Sequence, residues 1–208
     1  MAELTHLKEE CGRLSNLLQV DPLTQLYNIR FLRKALEREM ERTRRTGLPT
    51  GLIMIDLDHF KRINDTYGHQ AGNEVLLRAS NIWKDNVRLM DVPCRYGGEE
   101  FTIILPGTSL AQSIRTAERL RYLLAASVVE WEGKEIRFTA SFGVDVFRAR
   151  DRFSLDDFLK KADECLLEAK RRGRNRVFYP MSETTVSPPT EVTVEERASL
   201  FVTRWPKA

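Results

Sequence analysis

Apolar positions along this chain keep two different periods, and each change of period marks an element. Leu4, Leu7, Cys11, Leu14 and Leu18 recur at steps of three and four, the rhythm of a helical seam. That rhythm fits either one amphipathic helix lying on its own domain or the end of a parallel dimer stalk. Asp-Pro in "DPLTQLYN" at 21–28 breaks it. Phe31, Leu32, Ala35, Leu36 and Met40 then form a stripe that predicts a helix over 29–46, closed by "TGLPTG". "LIMIDLD" at 52–58 is a short apolar run that turns acidic, as a buried strand does when its end emerges into a cleft. "HFKRINDTYGHQAG", which follows, is polar and turn-rich. Val75, Leu76, Ala79, Ile82 and Trp83 mark the next helix.

"VPCRY" and "EEFTIIL" are β-favouring runs, and Gly-Gly between them predicts a hairpin. A helix follows with Leu110, Ile114, Ala117, Leu120 and Leu124 on one face. "VVEWEGKEIRFTASFGVDVF" reads as two strands around Glu-Gly-Lys. Leu155, Phe158, Leu159, Ala162, Cys165, Leu166 and Ala169 predict a last helix, with Gly173 placed to end it. From Met181 the chain has Ser, Thr, Pro and Glu without a helical period, which predicts a poorly ordered extension. The organisation expected is therefore a helix over 1–20, one domain over 21–180 and an extension over 181–208. Interleaved strands and helices with a clear hairpin predict an α+β domain, an antiparallel-rich central sheet flanked by helices.

Composition narrows the picture. Hydrophobic residues make up 42% of the 208, enough for a real core. The net charge of +3 is too small to argue for nucleic-acid binding, so basic function must be local. No run approaches the roughly 18–20 apolar residues of a membrane span. "MAELTHLKEECGRL" lacks the apolar stretch of a signal peptide, so a cytoplasmic protein is expected. Three cysteines, Cys11, Cys94 and Cys165, have long spacings and no CxxC, which argues against a disulfide framework or a zinc site. Cys94 and Cys165 read as small apolar packers.

Candidate chemistry concentrates where strands end in acid. The end of "LIMIDLD" and the turn in "RYGGEEF" would bring Asp56, Asp58, Glu99 and Glu100 together if the two lie side by side. Clustered carboxylates repel unless a cation joins them, and hard oxygen ligands select Mg²⁺ or Mn²⁺ over zinc. Such a site suits nucleotidyl or phosphoryl transfer. A solvated acidic turn is the plain alternative for "GGEE" alone. The backbone of "HFKRIND" and Lys61 could hold phosphates, and Asn64 offers a donor and an acceptor to a base edge. Lys170, Arg171, Arg172, Arg174 and Arg176 form a basic cluster that serves either phosphates or the helix dipole.

Taken together, "DPLTQLYN", "DLDHFKRINDTYGHQAGNEVL", "RYGGEEF", "FTASFGV" and "ADECLLEAKRRGRNRV" resemble the GGDEF family of diguanylate cyclases, in order and spacing, from about Asp21 to Phe178. The resemblance implies a fold like the palm of nucleotide cyclases and polymerases. It also implies condensation of two GTP into cyclic di-GMP, with release of two pyrophosphates, by two domains facing each other as a homodimer. Carried over residue by residue, Asp56, Glu99 and the Leu57 carbonyl would hold Mg²⁺ or Mn²⁺, with Glu100 assisting. Glu99 is also the implied base for the attacking 3′-OH, and Lys61 would stabilise the transition state. Phe60, Lys61, Lys170 and Arg174 would hold the triphosphate. Asn64 and Asn73 would read guanine, with His69 nearby, and Gly98 would let the nucleotide approach the turn. "RLMD" at 88–91 is an RxxD placed like the family's product-inhibition site, so Arg88 and Asp91, with Arg119 and Arg42, would bind cyclic di-GMP.

Two departures matter. "LTQLYNIR" has Gln25 and Ile29 where the family usually has Gly and Arg, in a structural turn where little effect on chemistry is expected. Asn73 stands where the family usually has Asp, which touches guanine selectivity. Two rival functions follow: a catalytically silent module that senses cyclic di-GMP or GTP, and a mixed-purine cyclase that also takes adenine. Intact Asp56, Glu99, Lys61, Lys170 and Arg174 argue against silence.

Overall fold

The computed structural model describes residues 19–180, so the seam at 4–18 and the extension from 181 lie outside the described residues. Within them, β1 (Tyr27–Asn28) leads into α1 (Ile29–Thr46), and β2 (Thr50–Leu57) into α2 (Phe60–Tyr67) and α3 (His69–Asp85). The hairpin β3 (Val92–Gly97) and β4 (Glu100–Leu105) precedes α4 (Leu110–Ala125). A small hairpin, β5 (Val128–Trp131) and β6 (Lys134–Arg137), leads to β7 (Ala140–Phe147), α5 (Leu155–Arg171) and β8 (Val177–Phe178). The main sheet runs β1-β3-β4-β2-β7-β8. Its four central strands are antiparallel, and only the two-residue edges β1 and β8 pair parallel.

Every residue of β2 is buried, and its side chains alternate between two cores. Ile53, Ile55 and Leu57 join Phe101, Ile103, Phe142 and the α2, α3 and α4 residues Ile63, Val75, Trp83 and Leu120. Leu52 and Met54 join Ile104, Phe147 and residues of α1 and α5, including Leu36, Phe158 and Leu166. Helices therefore cover both faces of the sheet, the α+β architecture that the pattern predicts. Cys94 and Cys165 are buried packers, and burial pushes both thiols up to about 12.

Local signals explain the helix ends. Asn28 accepts from the amides of Arg30 and Phe31 to start α1, and Gly47, at φ 79°, stops it. Ser109 and Ser154 begin α4 and α5 with reciprocal capping boxes. Gly143 lets β7 approach α5 closely, because a Cβ there would run into the backbone of Ala162 and Leu166. No described helix is long and apolar enough to cross a membrane.

The structure differs from the pattern reading in three places. "FKRINDTY", polar and turn-rich in sequence, is a helix; only Phe60 and Ile63 of its eight residues are buried, too few to show a period. "VVEW…DVF" holds three strands, not two: its tight turn is Glu132-Gly133, both at positive φ, and "ASFGVDVF" is a separate, fully buried strand. In the acidic hairpin Gly97 belongs to β3, so the link is Gly98-Glu99 instead of Gly-Gly.

Candidate active site

The sheet aligns the two acidic segments. β2 and β4 pair in a register that sets Asp56 opposite Glu100, and the Leu57 amide donates to the Glu99 carbonyl at 3.3 Å. Alternation along each strand puts both residues on the face that α5 covers, since Leu52 and Met54, and Ile104, point there. α5 ends beside them, and Lys170 Nζ lies 2.7 Å from Asp56 Oδ2. Burial raises the Asp56 pKa; Lys170 opposes this, and the charges of Glu99 and Asp58 add to it. Glu100 is raised too, first by burial and then by Asp56.

Asp58 has a different environment. Its carboxylate accepts from Thr139 Oγ1 and Ser141 Oγ, each at 2.7 Å, and from the Asn175 amide at 3.0 Å. It is thus spoken for by neutral donors, and among the described residues no group of three or more acidic, His or Cys side chains converges as a metal cage. The donors that remain still suit a hard cation. Asp56, Glu99, Glu100 and the Leu57 carbonyl are all oxygens, and Mg²⁺ takes only one or two carboxylates, completing its shell with water and phosphate.

The acidic turn has a support that the sequence reading missed. Arg95 donates through Nε and Nη2 to the Gly98 carbonyl, at 3.0 and 2.8 Å. Its Nη1 donates to Asp21 at 3.1 Å. Asp21 in turn accepts from the Thr24 amide and hydroxyl. Burial pulls its pKa up, but Thr24 and Arg95 outweigh that and hold it low. "DPLTQL" is therefore a bracket for "GGEE". The signal was present as an Arg two residues before the glycines and an Asp-x-x-Thr turn, but nothing in the sequence joined them. Gln25, one of the departures, sits in this bracket at φ 56°, the left-handed region that favours glycine.

The polar surroundings come from helix ends. α2 starts two residues after Asp58, and its N-cap, His59, supplies no side-chain acceptor to the first turn. Phe60 is buried there, and Lys61 is exposed. Asn64, half-buried, packs on Gly72 of α3, where any Cβ would run into its Oδ1. His69 and Asn73 are exposed on the first half of α3. Arg174 is exposed just past α5, inside three successive residues of positive φ, Gly173 to Asn175.

Residues 18–176 match the profile of the family described as diguanylate cyclase, GGDEF domain. The chain belongs to this family. The GGDEF domain is 41% identical over 175 residues to diguanylate cyclase DosC of Escherichia coli strain K12, which covers 84% of this chain and 37% of DosC. The chain therefore spans little more than a third of that relative's length. Among solved structures it is similar to diguanylate cyclase SiaD of Pseudomonas aeruginosa, solved with its activator SiaC. The TM-score is 0.75 at 34% identity, over 86% of this chain and 70% of that one. It is also similar to the coiled coil and GGDEF domain of DgcB from Caulobacter crescentus, solved with c-di-GMP. That match has a TM-score of 0.74 at 27% identity, over 86% of this chain and 94% of DgcB's.

A second polar feature of the GGDEF domain is the turn after α3. The Asp91 carboxylate accepts from the Arg88 amide at 2.8 Å, and its other oxygen, Oδ1, is buried without a hydrogen-bond partner. Burial raises the Asp91 pKa, against the charges of Arg88 and Arg119. Arg119 donates to the Asn86 carbonyl at 2.7 Å, so the structure gathers Arg88, Asp91 and Arg119. Leu89 and Met90 between them are exposed. Arg42 is engaged elsewhere, by Glu39 on its own helix at 3.1 Å.

Proposed function

We propose that this GGDEF domain is a diguanylate cyclase that condenses two GTP into cyclic di-GMP and two pyrophosphates. The observation that carries the proposal is the pairing of Asp56 with Glu100 on one face, beside Lys170 at 2.7 Å: anionic ligands and a cation at one sheet end. The 41% identity to a relative named as a diguanylate cyclase supports it.

In this reading Asp56, Glu99 and the Leu57 carbonyl hold Mg²⁺ or Mn²⁺, with Glu100 behind them. The ion, when bound, neutralises phosphate charge and favours the departing pyrophosphate. Lys61, Lys170 and Arg174 cradle the triphosphate, with Phe60 packing beneath the first turn of α2. Asn64 and Asn73 face the base edge, with His69 at the rim, and Gly98 leaves room beside the turn. Glu99 takes the proton of the 3′-OH; that oxygen attacks the α-phosphorus of the GTP on a second domain, and the bond to the β-phosphate breaks. The same exchange in the opposite direction closes the ring. Each domain supplies half of the reaction, so a homodimer is the active species. Arg88 and Asp91, with Arg119, bind the cyclic product and slow the enzyme; Arg42 joins them only by leaving Glu39.

Incubating the protein with GTP and Mg²⁺, and identifying the product by mass spectrometry, tests this. Cyclic di-GMP with two equivalents of pyrophosphate is the expected result. Binding of GTP or cyclic di-GMP without turnover would make the domain a sensor instead.

A further inference from the structure

We propose that Asp58 is a positioning residue that ties the phosphate-binding end of α5 to the strand carrying Asp56. The inference rests on the cyclase reading for its effect on turnover, and on hydrogen bonds for its geometry. Asp58 is 4% exposed, and its contacts fill it from three sides: Oδ2 takes the Thr139 hydroxyl and the Asn175 amide, and Oδ1 takes the Ser141 hydroxyl. Its own amide donates to the Thr139 carbonyl at 2.8 Å. A carboxylate so occupied has little left to offer a metal.

What it offers is an anchor. Gly173, Arg174 and Asn175 have φ of 112°, 61° and 44°, and two of these are not glycine. A left-handed stretch of this kind persists only where its surroundings over-determine it. The Arg174 amide reaches back to the Ala169 carbonyl at 3.1 Å, which ties one side to α5. Arg121 reaches the Asn175 side chain at 3.2 Å from α4. The Asn175 amide, at 3.0 Å from Asp58, is the link that crosses to the end of β2. Arg174 sits between these ties, and Lys170 lies one turn earlier. Asp58 thereby sets how far the phosphate-holding cations stand from Asp56.

Substitution separates anchoring from charge. Asp58→Asn keeps an oxygen for Thr139 and Asn175, and gives an NH₂ to Ser141, whose hydroxyl can also accept. Asp58→Ala removes the anchor. Steady-state kinetics should therefore show kcat/KM down about 100-fold in Asp58→Ala, as misplaced groups of this kind cost, with most of the loss in KM for GTP. Asp58→Asn should stay within about threefold of wild type, with the same Mg²⁺ midpoint. Coupling gives the sharper readout: in an Arg174→Ala background, Asp58→Ala should cost less than about tenfold, with only Lys170 left to misplace, because residues acting through one another are not additive. Should Asp58→Ala not fold, Thr139→Val takes its place in the cycle, with the same sign and a smaller effect. Hydrogen exchange over 172–176 adds a readout free of catalysis; protection should fall with the anchor and survive in Asp58→Asn. A wild type that does not turn over GTP defeats the cyclase reading alone, since the exchange measurement still decides this one. Equal losses in both Arg174 backgrounds, an Asp58→Asn as impaired as Asp58→Ala with a shifted Mg²⁺ midpoint, or unchanged exchange would overturn the proposal.

Discussion

Asp56 and Asp91 are each 8% exposed, and burial raises the pKa of both, yet they are held in opposite ways. Asp56 is met by Lys170, more than a hundred residues away in the chain, and by a neighbouring strand's Glu100. Asp91 is met by the amide of Arg88, three residues earlier, and keeps one oxygen unpaired. The first arrangement exists only when the whole sheet and α5 are in place. The second is a short-range turn just before β3 that presents an arginine beside Arg119 of α4. Chemistry is thus expected at the first, and adjustment of that chemistry at the second.

The largest effect should come from breaking the first arrangement. Glu99→Gln keeps the shape of the turn and removes an anion and a proton acceptor, so cyclic di-GMP formation should fall about 10²–10⁴-fold or more. Near wild-type turnover in this variant would contradict the role given to Glu99. Arg88→Ala, at the second arrangement, should leave initial rates intact and weaken product binding. Loss of one charge-assisted contact is worth about 1.5–3 kcal/mol, or about 10–100-fold in the inhibition constant of added cyclic di-GMP. Unchanged inhibition would reduce "RLMD" to a surface turn.

Asn73→Asp sharpens the contrast from the substrate side. A carboxylate can accept from both N1–H and N2–H₂ of guanine, whereas Asn has one accepting atom. GTP preference should rise by about 1–2 kcal/mol, read as about 5–30-fold in a competition of GTP with ATP. Any mixed adenine–guanine product should disappear; an unmoved ratio would mean that residue 73 does not read the base. The smallest effect concerns stability. Asp56 and Asp91 hold their protons more tightly folded than unfolded, so each costs stability as pH rises from the ordinary 3.8 through its raised value, with no further loss above it. Denaturation followed upward from pH 3.8 should show a shallower initial slope for Asp91→Asn than for wild type, and an identical slope would deny the burial effect.

Much of this was legible in the sequence because it repeats. The α1 stripe fixed its bounds, and the acidic end of "LIMIDLD" met "GGEE" as expected, because a buried antiparallel pair leaves few registers. What stayed hidden was what has no period. Two-residue edge strands such as β1 and β8 carry no pattern, and α2 buries too few residues to show one. Asp58 read as one more acid in a cluster, since its three donors lie 81 to 117 residues away. Arg95 and Asp21 likewise looked unrelated until the fold joined them. Gln25, expected to matter little, occupies a left-handed position in the bracket beneath the acidic turn, where a side chain costs roughly 1–2 kcal/mol relative to glycine.

Gly143 carries no charge and touches no substrate group, but it governs a distance. Its missing side chain lets α5 rest directly on β7, and Lys170 lies one turn beyond the Leu166 contact. Any larger residue there must lift the helix, and the lift is delivered to the lysine facing Asp56. A change at Gly143 would therefore present at the bench as a catalytic lesion, with its cause concealed in the packing of two backbones.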